Sequence, residues 1–142
     1  MEPLGGGGLW RENMYHSFED LDVWKRSVNV AVKLFKVLKD CPDYGIKDQM
    51  LRSAVSVPSN VAEGAERDSR KDFVRFLRIS KGSAAELRTQ LHLAGAASLV
   101  NAATCAKAKS EVTEISRMLQ GLLVSLGRGN KSRRSSNFKP QT

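Results

Sequence analysis

The chain has 142 residues, of which 41% are hydrophobic, and this length and composition are typical of one globular domain. Its 23 Lys and Arg residues outnumber its 15 Asp and Glu residues, which gives a net charge of +8. No stretch approaches the roughly 20 apolar residues that cross a bilayer, and the first residues lack the pattern of a secretory signal. We therefore expect a cytoplasmic protein without a membrane partner, whose two cysteines are reduced.

The two ends of the chain differ in composition from its middle. Residues 1–17 contain four consecutive glycines, which predict a flexible leader. Residues 128–142 carry five basic residues and no acidic one, a composition typical of a disordered tail that attracts polyanions. The five are Arg128, Lys131, Arg133, Arg134 and Lys139. We expect the folded part to cover residues 18–127.

The hydrophobic periodicity predicts four helices and no strand, and the first helix covers residues 20–39. Asp20 is its expected N-cap. We predict that its buried side consists of Leu21, Trp24, Val28, Ala31, Val32, Phe35 and Leu38. Val23, Val30 and Val37 then fall outside this side and would be exposed in an isolated bundle.

The second predicted helix covers residues 44–63 and contains Pro58 in its interior. A proline at that position removes a backbone hydrogen bond, so we expect the helix to bend there. The polar side chains that can bond to backbone groups around the bend are Ser56, Ser59 and Asn60. Gly64 is the expected C-terminal stop.

The third predicted helix covers residues 68–97, with Asp68 or Ser69 as its N-cap. At about 100° per residue, its apolar and basic residues fall on opposite sides. The basic side, called the basic face below, consists of Arg67, Arg70, Lys71, Arg75, Arg78, Lys81 and Arg88. A run of small residues that begins at Gly82 predicts the close approach of a neighbouring helix.

The fourth predicted helix covers residues 102–126, with Asn101 as its N-cap and Gly127 as its stop. Connections of roughly 4–6 residues join the helices, and such short links specify an antiparallel up-down-up-down four-helix bundle. Some apolar residues fall off the main apolar side of the fourth helix, namely Met118, Leu123 and Val124. Since large exposed apolar patches mark interfaces, we expect this all-α protein to self-associate.

The basic face has two interpretations. Its Lys and Arg side chains would follow the phosphates of a nucleic acid, and an oligomer would multiply their field. Alternatively, it is a solvated helix surface with local ion pairs, for example between Asp72 and nearby arginines. We favour nucleic-acid contact, because the face and the tail together match the charge pattern of such proteins. Few aromatic residues interleave the charges, which favours contact with the RNA backbone over base stacking.

Arg52, Asn60 and Glu63 share one side of the second helix. Glu63 would be a general base in an enzyme. We favour instead a polar network that supports the bend at Pro58 or a subunit interface, because buried polar groups in bundles usually specify packing. Trp24 and Gly82 complete the set of structural or interface candidates.

No arrangement of catalytic or metal-binding residues accompanies these patterns. The two histidines, His16 and His92, belong to no His, Cys or carboxylate cluster at metal-ligand spacing. The tetraglycine is followed by Leu9 and Trp10 rather than by the lysine of a phosphate-binding loop, and a G-x-S-x-G element does not occur. We therefore expect no enzyme activity, no cofactor and no metal.

Four motifs are specific in combination: F-x-x-L-x-V-W from residue 18, YGI-x-x-Q-x-x-R-x-A-x-SVP-x-NVAEG from residue 44, F-x-x-FL from residue 73, and GS-x-x-EL from residue 82. In these motifs the chain resembles the protein family encoded by intervening sequences in bacterial 23S ribosomal RNA genes. The resemblance covers residues 18–126 and leaves out the leader and the tail.

The resemblance implies a four-helix bundle that assembles into a homopentameric ring. A relative of this family, the accessory variability determinant protein of diversity-generating retroelements, is a basic pentamer that works with a reverse transcriptase and nucleic acid. We therefore expect a non-enzymatic oligomer that binds RNA or DNA through the basic face and the tail. The alternative is a protein-interaction scaffold whose basic face docks a nucleic-acid enzyme such as a reverse transcriptase.

Overall fold

The structure, a computed structural model, describes the backbone of residues 15–135 and the side chains of residues 15–128. Over this range the chain forms a short 3₁₀ turn, four α-helices and no strand, which confirms the all-α class. The turn is Phe18–Asp20, and the helices are α1 (Asp22–Val37), α2 (Tyr44–Ala65), α3 (Arg70–Ala96) and α4 (Ala102–Ser135). None of the helices described is both long and apolar enough to span a membrane.

The helices form an antiparallel up-down-up-down bundle, as predicted. Each helix packs against the next in sequence, and α4 returns to pack against α1. The interfaces of α3 with α2 and with α4 are the most extensive, whereas α1 packs less closely on both of its neighbours. Helix α3, which carries most of the basic face, therefore has the most extensive contacts of the four helices.

Side-chain caps begin three of the helices. Ser69 accepts a hydrogen bond from the Asp72 amide at 3.0 Å, and Asn101 accepts one from the Thr104 amide at 3.1 Å, which confirms both predicted caps. Asp43 caps α2 in the same way. The prediction for Asp20 was wrong, because its carboxylate accepts from the Ser17 amide inside the 3₁₀ turn.

The buried side of α1 differs from the prediction. Val23, Val30 and Leu34 are at most 4% exposed, whereas Val32 and Phe35, which were expected in the core, are 47% and 52% exposed. The predicted exposure of Val23 and Val30 was therefore wrong. Apolar residues occupy two adjoining sides of α1, and periodicity alone does not decide which of the two faces the bundle.

The extra apolar residues of α4 are also placed differently from the prediction. Met118 and Leu123 pack partly buried against the core, and only Val124 of that group is largely exposed. Val37 on α1 remains exposed, as expected. The apolar surface available for self-association through these residues is therefore smaller than the sequence suggested.

Gly64 lies inside α2 and does not end it. A Cβ atom at this position would lie 2.7 Å from Phe76 Cβ and 3.0 Å from Phe73 Cδ1, both on α3. The glycine is required because the end of α2 and the start of α3 approach too closely for a side chain. The predicted stop was wrong, since packing and not helix termination selects the residue.

Pro58 lies buried within α2, and the helix continues through it. Two of the three polar side chains around it bond to backbone carbonyls: Ser59 Oγ donates to the Val55 carbonyl at 2.7 Å, and Asn60 Nδ2 donates to the Ser56 carbonyl at 2.8 Å. The carbonyl of Ala54 comes just before these two in the chain. It accepts no bond from position 58, because proline has no N–H to donate. The bend itself stays a prediction.

Helix α4 extends to Ser135, two turns beyond its predicted stop at Gly127. A glycine in a helix interior costs only about 1 kcal/mol, and the buried Leu126 holds α4 against the bundle just before it. The predicted stop at Gly127 was therefore wrong, since α4 includes residues 128–135 of the predicted tail. The remainder of the predicted tail, residues 136–142, and residues 1–14 of the predicted leader lie outside the described residues.

We predict that Gly64→Ala destabilises the protein by about 1–3 kcal/mol, because its Cβ would force α2 and α3 apart. Gly82→Ala is the matched control, since Gly82 is exposed, is helical and has no neighbour within 4 Å. We expect that control to stabilise the protein by up to about 1 kcal/mol. Urea unfolding followed by circular dichroism measures both. Equal stability of the two variants would contradict the packing role of Gly64.

Candidate nucleic-acid interface

Two side-chain contacts fix the register between α3 and α4. Lys81 Nζ lies 2.6 Å from Gln120 Oε1, and His92 Nδ1 lies 3.1 Å from Lys109 Nζ. Both contacts agree on one antiparallel register, in which the start of α3 at Arg70 lies level with Lys131 on the α4 backbone. The last two turns of α4 therefore run beside the start of α3 and the turn that precedes it.

This register brings the two basic segments of the sequence to one end of the bundle. Residues 67–78 contribute Arg67, Arg70, Lys71, Arg75 and Arg78. Residues 128–135 of α4 contribute Arg128 and the backbone positions of Lys131, Arg133 and Arg134. We call these two segments together the basic end. The sequence predicted both parts, but it did not show that they meet.

The ring of Phe76 orients two arginines within the basic end. The guanidinium carbons of Arg67 and Arg75 lie over this ring, 4.9 Å and 4.6 Å from its centroid. Each such contact is worth about 0.5–1 kcal/mol at an exposed site. Arg67 also bonds to Glu63 at 2.9 Å, and Arg75 lies 4.0 Å from Asp72. The two guanidinium groups are thus held close to the protein surface.

Acidic residues offset much of the positive charge between the last turn of α2 and the first turns of α3. Residues 63–78 contain five basic and four acidic residues. The local ion pairs that the sequence left as an alternative are present, since Arg67 pairs with Glu63 and Arg75 pairs with Asp72. The exposed Lys71 and Arg78 form no ion pair within the described part of the chain. They are the cations of α3 best placed for a new partner.

Two predicted residues of the basic face are turned away from the outer surface. Lys81 is half-buried and bonds to Gln120 at the boundary with α4. Arg70 is half-buried as well. The other five residues of the face are exposed, namely Arg67, Lys71, Arg75, Arg78 and Arg88.

The aromatic residues of the basic end are buried. Phe73 is 0% exposed and Phe76 is 7% exposed. Tyr15 packs edge-on against Phe73, and its hydroxyl donates to the Ala65 carbonyl at 2.9 Å. Within residues 67–78, the basic end therefore offers cations but no exposed aromatic ring on which a base could stack.

The expected polar network of Arg52, Asn60 and Glu63 does not form as a unit. Arg52 pairs with Asp48 one turn earlier, and Glu63 pairs with Arg67. Asn60 bonds to Ser56 on its own helix. The prediction that these residues jointly support Pro58 was therefore wrong, and each makes a separate local contact.

Three serines connect α2 to α3, and of these the sequence analysis singled out only Ser56, as a residue near the bend. Ser56 Oγ lies 2.8 Å from Ser83 Oγ, and the buried Ser80 hydroxyl donates to the Val57 carbonyl at 2.8 Å. Small polar residues at helical spacing on facing helices were the available signal. The run of small residues that begins at Gly82 approaches α2 at Ser83, as predicted, whereas Gly82 itself is exposed and a Cβ atom there would meet no neighbour within 4 Å.

Trp24 and Cys105 lie in packing environments. Trp24 packs edge-on against Phe18, with 5.4 Å between ring centroids, and so connects α1 to the 3₁₀ turn. Cys105 is buried, and this burial raises the pKa of its thiol, with a smaller contribution from Cys41. Within the part of the chain that the structure describes, no cluster of His, Cys, Asp or Glu is suited to a metal ion.

The fold is that of a small four-helix bundle whose α3 and α4 carry a common basic end. Residues 19–121 match the model of the 23S rRNA-intervening sequence protein family, and the chain belongs to this family. It is also similar to a crystal structure of a protein with unknown function from the S23 ribosomal protein family of Bacteroides thetaiotaomicron VPI-5482. The two share 24% identity over 71% of this chain and 97% of that chain, with a TM-score of 0.67. A comparison with curated proteins found no match.

Proposed function

We propose that this protein binds structured RNA through the phosphates that contact its basic end, and that it catalyses no reaction. The α3–α4 register carries the proposal, because it joins the exposed cations of α3 to the basic last turns of α4. Cations that neutralise phosphates release condensed counterions, and this release supplies sequence-independent affinity. The phosphates of DNA would contact the same cations, so DNA would bind as well.

The composition of the site supports a folded RNA over a single strand. Lys71 and Arg78 lie seven residues apart on α3, which separates them by about 10 Å along the helix axis. Both would contact phosphates of one helical backbone, whereas Phe73 and Phe76 are too buried to stack on an unpaired base. The family's name links its members to 23S rRNA, so an rRNA stem-loop is the first ligand to test.

We also propose that several copies assemble into a ring that presents several basic ends together. Exposed apolar residues support self-association, among them Val37 and Val124, which are 46% and 41% exposed. A ring would multiply the electric field of each basic end. In sedimentation equilibrium we expect a mass near five times the 15.7 kDa of one chain. A mass of one chain across the concentration range would contradict the ring.

The ion pairs of the basic face favour a second candidate, a scaffold for a nucleic-acid enzyme. Glu63 and Asp72 weaken the attraction of this surface for a bare polyanion. A partner protein with charges of both signs would match the surface better. Under this alternative, bare RNA binds weakly at every salt concentration, and tight binding requires the partner.

We predict that Lys71→Glu/Arg78→Glu weakens binding to an rRNA stem-loop at least tenfold in 0.1 M salt. Each lost phosphate contact also makes the slope of log affinity against log salt shallower by about one unit. Fluorescence anisotropy over a salt series measures both. The matched control is Lys39→Glu/Lys107→Glu, which makes the same change in net charge at the opposite end of the bundle. Equal weakening in both variants would contradict a defined site.

A further inference from the structure

One flank of α1 is apolar and exposed. Val28, Val32 and Phe35 recur at the spacing that places residues on one side of a helix. Val28 is half-buried, whereas Val32 and Phe35 are 47% and 52% exposed. This flank is separate from the buried side of α1, so the bundle itself leaves it without cover.

Contacts with α4 show which way this flank faces. Lys33 Nζ lies 3.3 Å from Glu111, and Arg26 Nη1 lies 3.8 Å from Met118 Sδ, so these two residues mark the α4 side of α1. On the helix circumference, the buried residues separate Phe35 and its neighbour Val32 from Lys33 and Arg26. Since α1 packs against α2 and α4, the apolar flank borders α2.

Helix α2 continues this apolar surface. Ser56 and Gly64 contact α3, whereas Leu51 and Val55 lie on the other flank of α2, which borders α1. Lys47 Nζ donates to the Lys39 carbonyl at 3.2 Å, a contact that places Leu51 near the level of Phe35. Val55 is 43% exposed. We call this surface the α1–α2 seam, formed by Val28, Val32, Phe35, Leu51 and Val55.

Basic residues border the seam. Residues 22–39 contain five basic residues and one acidic residue. Lys25 and Lys36 are exposed, lie next to Val32 on the helix circumference, and form no ion pair within the described residues. The seam is thus an apolar strip with an uncompensated positive border.

We propose that the α1–α2 seam binds an acidic amphipathic helix of a partner protein. The apolar residues of that helix cover Phe35, Val32 and Val55, and its carboxylates meet Lys25 and Lys36. Apolar anchors spaced by one turn along a pair of helices are the pattern into which such a helix packs. This proposal is independent of the RNA site, because it uses a different face of the bundle.

Charge favours this occupant over the alternatives. In a two-fold contact between two seams, the lysines of both copies would lie against each other, and like charges at an interface are unfavourable. In the head-to-tail contacts of the proposed ring, the seam would meet a different surface of the next copy, and the oligomer measurement below tests that arrangement. A nucleic acid would pair with the lysines but would leave the apolar strip exposed to water. An acidic amphipathic helix would pair with the lysines and would also cover the apolar strip.

The test uses the full-length chain and a fluorescein-labelled peptide of about 18 residues, with leucine at positions i, i+4 and i+7 and glutamate on its other side. We expect micromolar binding in fluorescence anisotropy, and a Kd at least tenfold higher for Phe35→Ser. Leu93→Ser is the matched control, because Leu93 is 54% exposed but lies on α3, away from the seam. We expect the Kd of this variant to equal that of the unchanged protein. Lys36→Glu also raises the Kd, whereas Lys107→Glu does not.

Several results would overturn the proposal. The first is that the peptide does not bind at concentrations up to about 1 mM. The second is that Leu93→Ser weakens peptide binding as much as Phe35→Ser does. The third is that the protein binds phosphatidylserine vesicles and not the peptide. A shift of Phe35→Ser from oligomer to monomer would show that a second copy covers the seam. Circular dichroism checks that the variants are folded, and Val32→Ser replaces Phe35→Ser if the latter is not.

Discussion

The close approach of α2 and α3 at Gly64 is the constraint on which the rest of the structure depends. Without a side chain at Gly64, Phe73 and Phe76 pack directly on the end of α2. Their burial fixes the rotation of α3, and the bond from Ser80 to the Val57 carbonyl holds the same interface two turns further along. The side of α3 opposite this core then carries the exposed cations. Helix α4 follows α3 in register and adds its own basic segment at the same end.

The charges of the protein form two surfaces of different chemistry. At the basic end, acids pair with two of the arginines and Phe73 and Phe76 are buried, so the surface offers charge without an apolar area. At the α1–α2 seam, lysines border an exposed apolar strip. Because α1 and α2 form one side of the bundle and α3 and α4 the other, the two surfaces face apart. An RNA and an acidic partner helix would therefore occupy the protein at the same time, without competing for one surface.

The fold was largely predictable because each helix has a long apolar pattern and most helix ends have polar caps, such as Ser69 and Asn101. The errors arose where tertiary packing outweighs a local signal. Gly64 has the residue type of a helix stop, but α3 requires it as a contact point. At Gly127, helix α4 continues because the cost of one glycine is small beside the packing that precedes it. The buried side of α1 was ambiguous, since Val32 and Val30 fit two adjoining apolar sides equally well. The basic residues were identified from the sequence, but their meeting at one end depends on the α3–α4 register, which no local pattern encodes.

The most direct test of the RNA site is a map of backbone amide chemical shifts by nuclear magnetic resonance, recorded while an rRNA stem-loop is added to the full-length chain. The account predicts that the largest changes cluster at residues 67–78 and in the last two turns of α4, and that residues 25–36 of α1 change little. Changes concentrated on α1, or a saturating complex that leaves the amides of residues 67–78 unmoved, would contradict it.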